Sequence, residues 1–183
     1  MNRRQLLASS PLWLLAACQS GQTPSAALAQ AINDASILFG SSTAVPPTGL
    51  AGTYAMLKTL YPTLVPANVD AQVQSIFAAV PGELALLSTA AASLVNATTL
   101  KAIVQNGTSI LNLVAPLLTP VVAADPALAP VLLGFQAAAI LMPIIMASVS
   151  QIAPATVGAV AVPVMFSAST MTPDQARAVL AGK

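Results

Sequence analysis

The chain has 183 residues, of which 56% are hydrophobic and only 6% are charged, and its mean hydropathy is +0.81. Six basic residues stand against five acidic ones, so there is no basic patch to neutralise phosphates, and we expect no nucleic-acid partner. One cysteine and no histidine exclude an internal disulfide and remove the usual ligands of a zinc site.

The N-terminal segment has the order of a secretory signal. Arg3 and Arg4 precede an uncharged apolar run over residues 6–17, and Cys18 follows directly. As a helix, this run would extend only about 18 Å, well short of the roughly 30 Å hydrocarbon core of a membrane. The pattern therefore predicts a signal peptide over residues 1–17 rather than a membrane span.

The end of this segment, Leu15-Ala16-Ala17-Cys18, resembles the lipobox of bacterial lipoproteins. The resemblance implies that the Cys18 thiol receives a diacylglyceryl group, that the leader is cut before Cys18, and that the new amino group is acylated. Two or three acyl chains, at about 0.8 kcal/mol per buried methylene, would anchor the protein stably in membrane lipid. The alternative is a chance cysteine in an ordinary signal peptide or anchor.

The leader also contains residues that indicate the export route and the destination of the protein. The run Arg3-Arg4-Gln5-Leu6-Leu7 resembles a twin-arginine signal, but Asn2 and the missing basic residue after Leu7 depart from the fuller motif, so both export routes stay open. Gln19 resembles the residue that follows the cysteine in lipoproteins sent to the outer membrane. We expect a lipid-anchored protein on the periplasmic side of a bacterial cell envelope.

The mature chain is predicted to be all-α. A lipidated tether over 18–24 should lead into a single alanine-rich helical bundle of five to seven helices over 25–183. Ser25 is the expected N-cap of the first helix, which should end at Gly40. Its apolar residues recur at helical spacing: Leu28, Ile32, Ala35 and Phe39.

Prolines, glycines and asparagines delimit the next predicted helices. A second helix is expected over 50–61. Asn68 should cap a third that ends at Pro81-Gly82, and Glu83 is an acid well placed to begin a fourth. Residues 96–99 then offer a break and a new cap.

A fifth helix is predicted from Leu100 to a boundary at Pro116, with Gly107 as a weak point. Asp125-Pro126 resembles a cap followed by proline at the first helical position. The apolar segment 128–152 should form the next helix, started or bent by Pro130 and Pro143.

The C-terminal part divides into two segments. Residues 156–169 are rich in valine and are left open as extended or irregular. Thr172-Pro173-Asp174-Gln175 has the cap, the proline, the acid and the capping-box glutamine that predict a short last helix ending at Gly182.

The window 127–149 carries no charge and would span about 35 Å as a helix, enough for a bilayer core. Two prolines, a high alanine content and the absence of a flanking basic cluster argue against a simple span. Three interpretations stay open: a buried central helix, a membrane-inserted hairpin over 102–152, and a surface covered by a partner protein.

Residues able to carry chemistry are few. Without histidine the commonest general base is absent, and a serine–lysine pair at Lys58 or Lys101 has no supporting motif. Tyr54 and three methionines at helical spacing are expected to pack: Met56, Met142 and Met146. The acids are expected to be structural, at helix starts or on polar faces: Asp34, Asp70, Glu83, Asp125 and Asp174.

These observations predict a non-enzymatic protein with no catalytic, cofactor-binding or metal-binding residues and with Cys18 as its lipidation site. The expected role is that of a binding, scaffold or accessory module, with an envelope protein as its partner. The alternatives are a membrane-active hairpin that inserts or oligomerises through 102–152, and an enzyme that uses serine or acid chemistry.

Overall fold

The computed structural model describes residues 23–43, 46–88, 94–122, 125–152, 162–167 and 169–183. Within these ranges the protein consists of α-helices and one 3-10 turn, with no strand, which confirms the predicted all-α bundle. The leader, Cys18 and most of the tether lie outside the described residues, as does half of the valine-rich segment, residues 156–161 and 168.

Seven helices are described. They are α1 (Pro24–Phe39), α2 (Gly49–Leu60), α3 (Ala67–Ser88), α4 (Leu94–Leu118), α5 (Ala129–Ile152), α6 (Val164–Ser167) and α7 (Pro173–Leu180). The 3-10 turn Pro126–Leu128 leads directly into α5.

Local capping signals begin several helices. The predicted cap at Ser25 is wrong: the side chain of Thr23 accepts a hydrogen bond from the Ala26 backbone, and Pro24 follows at the first helical position. The predicted caps at Asp125 and Thr172 are confirmed. Asp125 accepts from the Ala127 backbone, and Thr172 forms a complete capping box with Gln175.

The break predicted at Pro81-Gly82 is absent. Pro81-Gly82 does not end a helix, and Glu83 does not begin one, because α3 continues through all three residues to Ser88. A proline inside a helix costs about 3 kcal/mol, but the apolar residues on both sides of it, Val80, Leu84 and Leu87, are buried on one face. The burial of this shared face outweighs the lost backbone hydrogen bond.

The same correction applies to α4. Residues 96–99 lie within its first part rather than at a break, and Pro116 lies inside that helix, which ends at Leu118. Helix α5, by contrast, covers almost the whole predicted segment, with Pro130 in its first turn and Pro143 in its middle. Tertiary packing therefore keeps long helices where local punctuation predicts shorter ones.

The central element is α5. It contacts α1, α2, α4, α6 and α7, and half of its residues are buried, among them Phe135, Leu141, Met142 and Ile145. Because neighbours surround it on several sides, α5 needs apolar residues around most of its circumference. This explains why its sequence has no single hydrophobic stripe.

The junction between α1 and α2 is a tight approach of two glycines. The backbones of Ser41 and Thr48 exchange hydrogen bonds of 3.1 and 2.9 Å. Gly40 and Gly49 both have positive φ angles, 57° and 62°, and a Cβ on either residue would collide with the backbone beside it. Only glycine fits these two positions.

The direction of α5 follows from its contacts on α2 and α1. Gly134, early in α5, packs on Thr53 of α2, whereas Met142 lies with Phe39 of α1 around Gly107 of α4. Along its length α5 therefore passes α2 first, then the junction, then α1. It runs antiparallel to both, and α4, joined to it by residues 119–128, runs antiparallel to α5.

Helix α3 follows the same course as α5. Its first turn contacts α2, where Lys58 binds Asp70, and its last part lines a groove with Ile32 and Phe39 of α1. The bundle thus has two ends. At the end we call proximal, α1 and α4 begin and α3 and α5 end; at the distal end, α2 and α4 end and α3 and α5 begin.

Candidate functional site

The candidate lipidation site, Cys18, lies just outside the described residues, so its acylation stays a prediction. The described fold begins at Thr23, the fifth residue after it. Thr23 caps α1 and therefore lies at the proximal end of the bundle. The polar groups of the folded part are considered next, because they decide which chemistry the bundle can support.

A buried ion pair joins α1 to α7. Arg177 donates from Nε to Asp34 Oδ1 at 2.8 Å and from Nη2 to Asp34 Oδ2 at 2.9 Å. Its Nη1 donates to Asp174 Oδ1 at 2.8 Å. The Asp34 side chain is only 1% exposed, so the bidentate contact replaces the water that would otherwise stabilise its negative charge. The same hydrogen bonds raise the pKa of Arg177.

The position of Asp34 differs from the prediction for the acids. Asp34 lies at neither a helix start nor a solvated face; it is buried in the second half of α1. Its role is nevertheless structural, as expected, because all of its described polar contacts are with one guanidinium. A carboxylate engaged in this way cannot act as a free general base.

A second polar cluster joins α2 to α3. Lys58 Nζ donates to Asp70 Oδ2 at 2.8 Å, and Tyr54 Oη donates to Asp70 Oδ1 at 3.1 Å. The bond from Lys58 is the main reason that the pKa of Asp70 is lowered. Burial, reinforced by the Asp70 contact, raises the pKa of Tyr54 well above its ordinary value. Lys58 therefore binds an acid and does not activate a serine.

The remaining acids are Asp125 and Glu83. Asp125 combines its capping bond with a hydrogen bond accepted from Tyr61. Glu83 lies in the last third of α3, on the wall of an open groove of about 420 Å³ between α3 and α4. One of its carboxylate oxygens is buried without a hydrogen-bond partner. The other lining residues are Val95, Thr98, Thr99 and Ala102.

A second open groove, of about 370 Å³, lies between α1 and α3. Apolar and small residues dominate its lining, and no ionisable side chain lies there: Ile32, Ser36, Phe39, Gly40, Val80, Pro81, Leu84, Ala85 and Ser88. Among the described residues, no three His, Cys, Asp or Glu side chains come together in a way that could hold a metal ion.

The residues expected to pack have mixed outcomes. Tyr54, Met142 and Met146 are buried, and the Tyr54 ring contacts Phe77 at a centroid distance of 5.9 Å. Met56 is 43% exposed instead. Its place on the outer side of α2 makes the prediction of core packing wrong for that residue.

No sequence signal predicted the Asp34–Arg177 contact, because the two residues are 143 positions apart and no motif links them. Comparisons with protein families, with curated proteins and with solved structures found no match for this chain. The functional argument therefore depends on the leader and on the physical character of the bundle.

Proposed function

We propose that this chain is a bacterial envelope lipoprotein, anchored through acylated Cys18, whose helical bundle is a non-enzymatic binding, scaffold or accessory module at a membrane. The observation that carries the proposal is the leader, in which an apolar run ends at Leu15-Ala16-Ala17-Cys18. A folded unit that begins at Thr23 leaves a short tether between the lipid and the bundle.

The polar contacts of the bundle support the non-enzymatic part of the proposal. The side chains that could act as acids, bases or nucleophiles mostly connect helices: Asp34 to Arg177, Asp70 to Lys58, and Asp125 to Tyr61. The grooves on either side of α3 do not bring together two catalytic groups. Such a bundle is suited to contact with other molecules rather than to chemistry on them.

Metabolic labelling tests the lipid anchor. Cells that express the chain are grown with an alkyne analogue of palmitate. The wild-type protein should incorporate the analogue, and a Cys18→Ala variant should not. A Ser20→Ala variant is the matched control, since it changes the same tether but leaves the cysteine, and it should label normally. Full-length, unlabelled wild-type protein in the cytosol would contradict the proposal.

A second candidate function is a membrane-active hairpin over residues 102–152. Its supporting observation is that the helical segment 126–152 is long and apolar enough to span a membrane, with a mean hydropathy of 2.1 in its most apolar window. However, 56% of that window is buried inside the bundle, as in the core helix of a soluble domain. Insertion would require α5 to leave five neighbouring helices.

Extraction distinguishes the two candidates. A Cys18→Ala form behind a leader cut by ordinary signal peptidase carries no lipid, so a folded module should be released into alkaline carbonate buffer. Retention of this form in the membrane pellet would favour the hairpin. The acylated wild type is the control and should stay with the membrane in either case.

A further inference from the structure

The proximal end of the bundle differs from the rest of the molecule in its charge. The described residues nearest this end include no Asp, Glu, Lys or Arg: residues 24–33 of α1, 84–88 of α3, 94–100 of α4 and 141–152 of α5. The nearest charges, Asp34, Glu83 and Lys101, lie next along these helices. The distal end, by contrast, has Lys58, Asp70 and Asp125. Among the described residues, the tip of the proximal end is therefore uncharged, whereas the tip of the distal end is charged.

Large apolar side chains are exposed at this uncharged end. Leu86, near the end of α3, is 75% exposed, and Val95, near the start of α4, is 72% exposed. Val95 lines the groove beside Glu83, and Leu86 lies one turn after Glu83 in α3, so both residues lie near the proximal end of this helix pair. An end that faced only water would be expected to carry charged residues.

The place where the chain enters the bundle, at Thr23, indicates what covers this surface. Thr23 is the fifth residue after Cys18, and an extended chain of five residue steps reaches at most about 17 Å. Thr23 lies at the proximal end, so a lipid on Cys18 would hold this end, and not the distal end, close to the bilayer. Helix tips without charged residues, together with exposed leucine and valine, suit the interfacial region of lipid.

We infer that the proximal end is a second membrane contact, in which Leu86 and Val95 enter the interfacial region of the bilayer that holds the acylated cysteine. This inference rests on the proposed lipid anchor. It adds that the bundle has a fixed orientation on the membrane, with the distal end and its charges facing away. The occupant of the surface is lipid, and a protein partner would bind elsewhere.

Single tryptophans can report this orientation. The only tryptophan of the chain, Trp13, lies in the leader, so the mature protein has none of its own. Leu86→Trp places a reporter at the proximal end. Val164→Trp is the matched control, because Val164 is 85% exposed and lies distally, in a short helix whose Met165 and Phe166 contact Thr119 and Phe135.

Each acylated variant is reconstituted in phosphatidylcholine vesicles with or without brominated acyl chains, which quench tryptophan on contact. We expect the brominated lipid to reduce the fluorescence of Leu86→Trp by about twofold or more and to leave Val164→Trp within about a tenth of its value. Unquenched fluorescence at position 86 would overturn the inference. Equal quenching of both variants would overturn it too, since no fixed orientation would then exist.

Mass spectrometry of the N-terminal peptide separates this result from the anchor itself. If Cys18 carries no lipid, the proposed anchor fails, and the vesicles are then added to the unacylated protein. Quenching at position 86 under those conditions supports the proximal contact on its own, and its absence refutes the contact. Far-ultraviolet circular dichroism of both variants verifies that the helices are retained.

Discussion

At the scale of single residues, the most consequential contact is the ion pair between Asp34 and Arg177. A carboxylate that is 1% exposed has lost nearly all of its hydration, and burial of an unpaired charge is strongly unfavourable. The bidentate guanidinium supplies two charge-assisted hydrogen bonds in its place. The pair also fixes how α7 lies against α1, since both partners are held in one geometry.

We predict that Arg177→Ala lowers the free energy of unfolding by about 3 kcal/mol or more, because it leaves the Asp34 carboxylate buried without a partner. Arg177→Lys should lose less, since it keeps the charge but not the bidentate contact. Urea denaturation of the mature, unacylated chain measures both. Asp174→Ala is the control: its carboxylate is 93% exposed, so the loss should stay below about 1 kcal/mol.

The Lys58–Asp70 contact predicts a dependence of stability on acid. The hydrogen bond from Lys58 lowers the pKa of Asp70 below its ordinary value of 3.8, so at acidic pH the folded state binds fewer protons than the unfolded state. The stabilisation that the Lys58–Asp70 contact provides is fully present above the ordinary pKa of Asp70. It is lost as the pH falls through the lowered pKa of the folded state.

Lys58→Met removes the main cause of that shift. The variant should therefore lose less stability than the wild type when the pH is lowered from about 5 to about 3. Chemical denaturation at a series of pH values gives the comparison. Lys183→Met removes the same charge from the exposed C-terminus and should follow the wild-type curve; parallel curves for all three proteins would exclude the Asp70 linkage.

At the scale of helices, the sequence predicted part of what local chemistry decides, since the cap of α1 is Thr23 and not the predicted Ser25. The caps at Asp125 and Thr172 depend on residues within one turn of each other, and both were predicted correctly. The breaks at Pro81 and residues 96–99 were wrong, because packing against distant helices compensates for a local defect. A single sequence does not show how strongly distant helices stabilise a helix that contains a proline.

The candidate site likewise has a part that local sequence predicts and a part that only the folded structure shows. Cys18 is read from a contiguous motif, so the sequence alone predicts it. The orientation of the bundle relative to that cysteine depends on which helix ends meet, and the decisive contacts, such as that of Gly134 with Thr53, join residues far apart in the chain. They became visible only in the folded structure.

Two glycines in helices allow a matched test of this packing. A Cβ at Gly134 would lie 2.3 Å from Thr53 Oγ1, whereas one at Gly82 would meet nothing within 4 Å. Gly134→Ala should therefore destabilise the bundle by about 1–3 kcal/mol through overpacking. Gly82→Ala should instead stabilise it by up to about 1 kcal/mol, because alanine is the better helix former.

Thermal denaturation of both variants shows whether each substitution stabilises or destabilises the bundle. A second substitution, Thr53→Ala, should recover part of the loss in the Gly134→Ala background, because it removes the two closest atoms. Equal effects of the two glycine substitutions would mean that helix propensity, and not the α2–α5 contact, sets the stability.

At the scale of the whole molecule, the fold depends on covering α5. With 6% charged residues in the chain, few charged side chains can cover an apolar helix, so neighbouring helices must enclose α5. The last helix, α7, is among the neighbours with the most extensive contact with α5. It buries Ala176 and Leu180 and supplies the guanidinium that pairs with Asp34.

Removal of residues 172–183 should therefore affect far more than the C-terminus. The truncated chain exposes an apolar face of α5 and leaves Asp34 unpaired, so we expect it to lose its cooperative unfolding transition and to bind the dye ANS. Urea denaturation and dye fluorescence of the unacylated protein measure these effects. Removal of Lys183 alone is the control and should retain a cooperative transition. If the chain without α7 unfolded at the wild-type urea midpoint, α7 would be an appendage, and the enclosure of α5 would not be what keeps this apolar bundle folded in water.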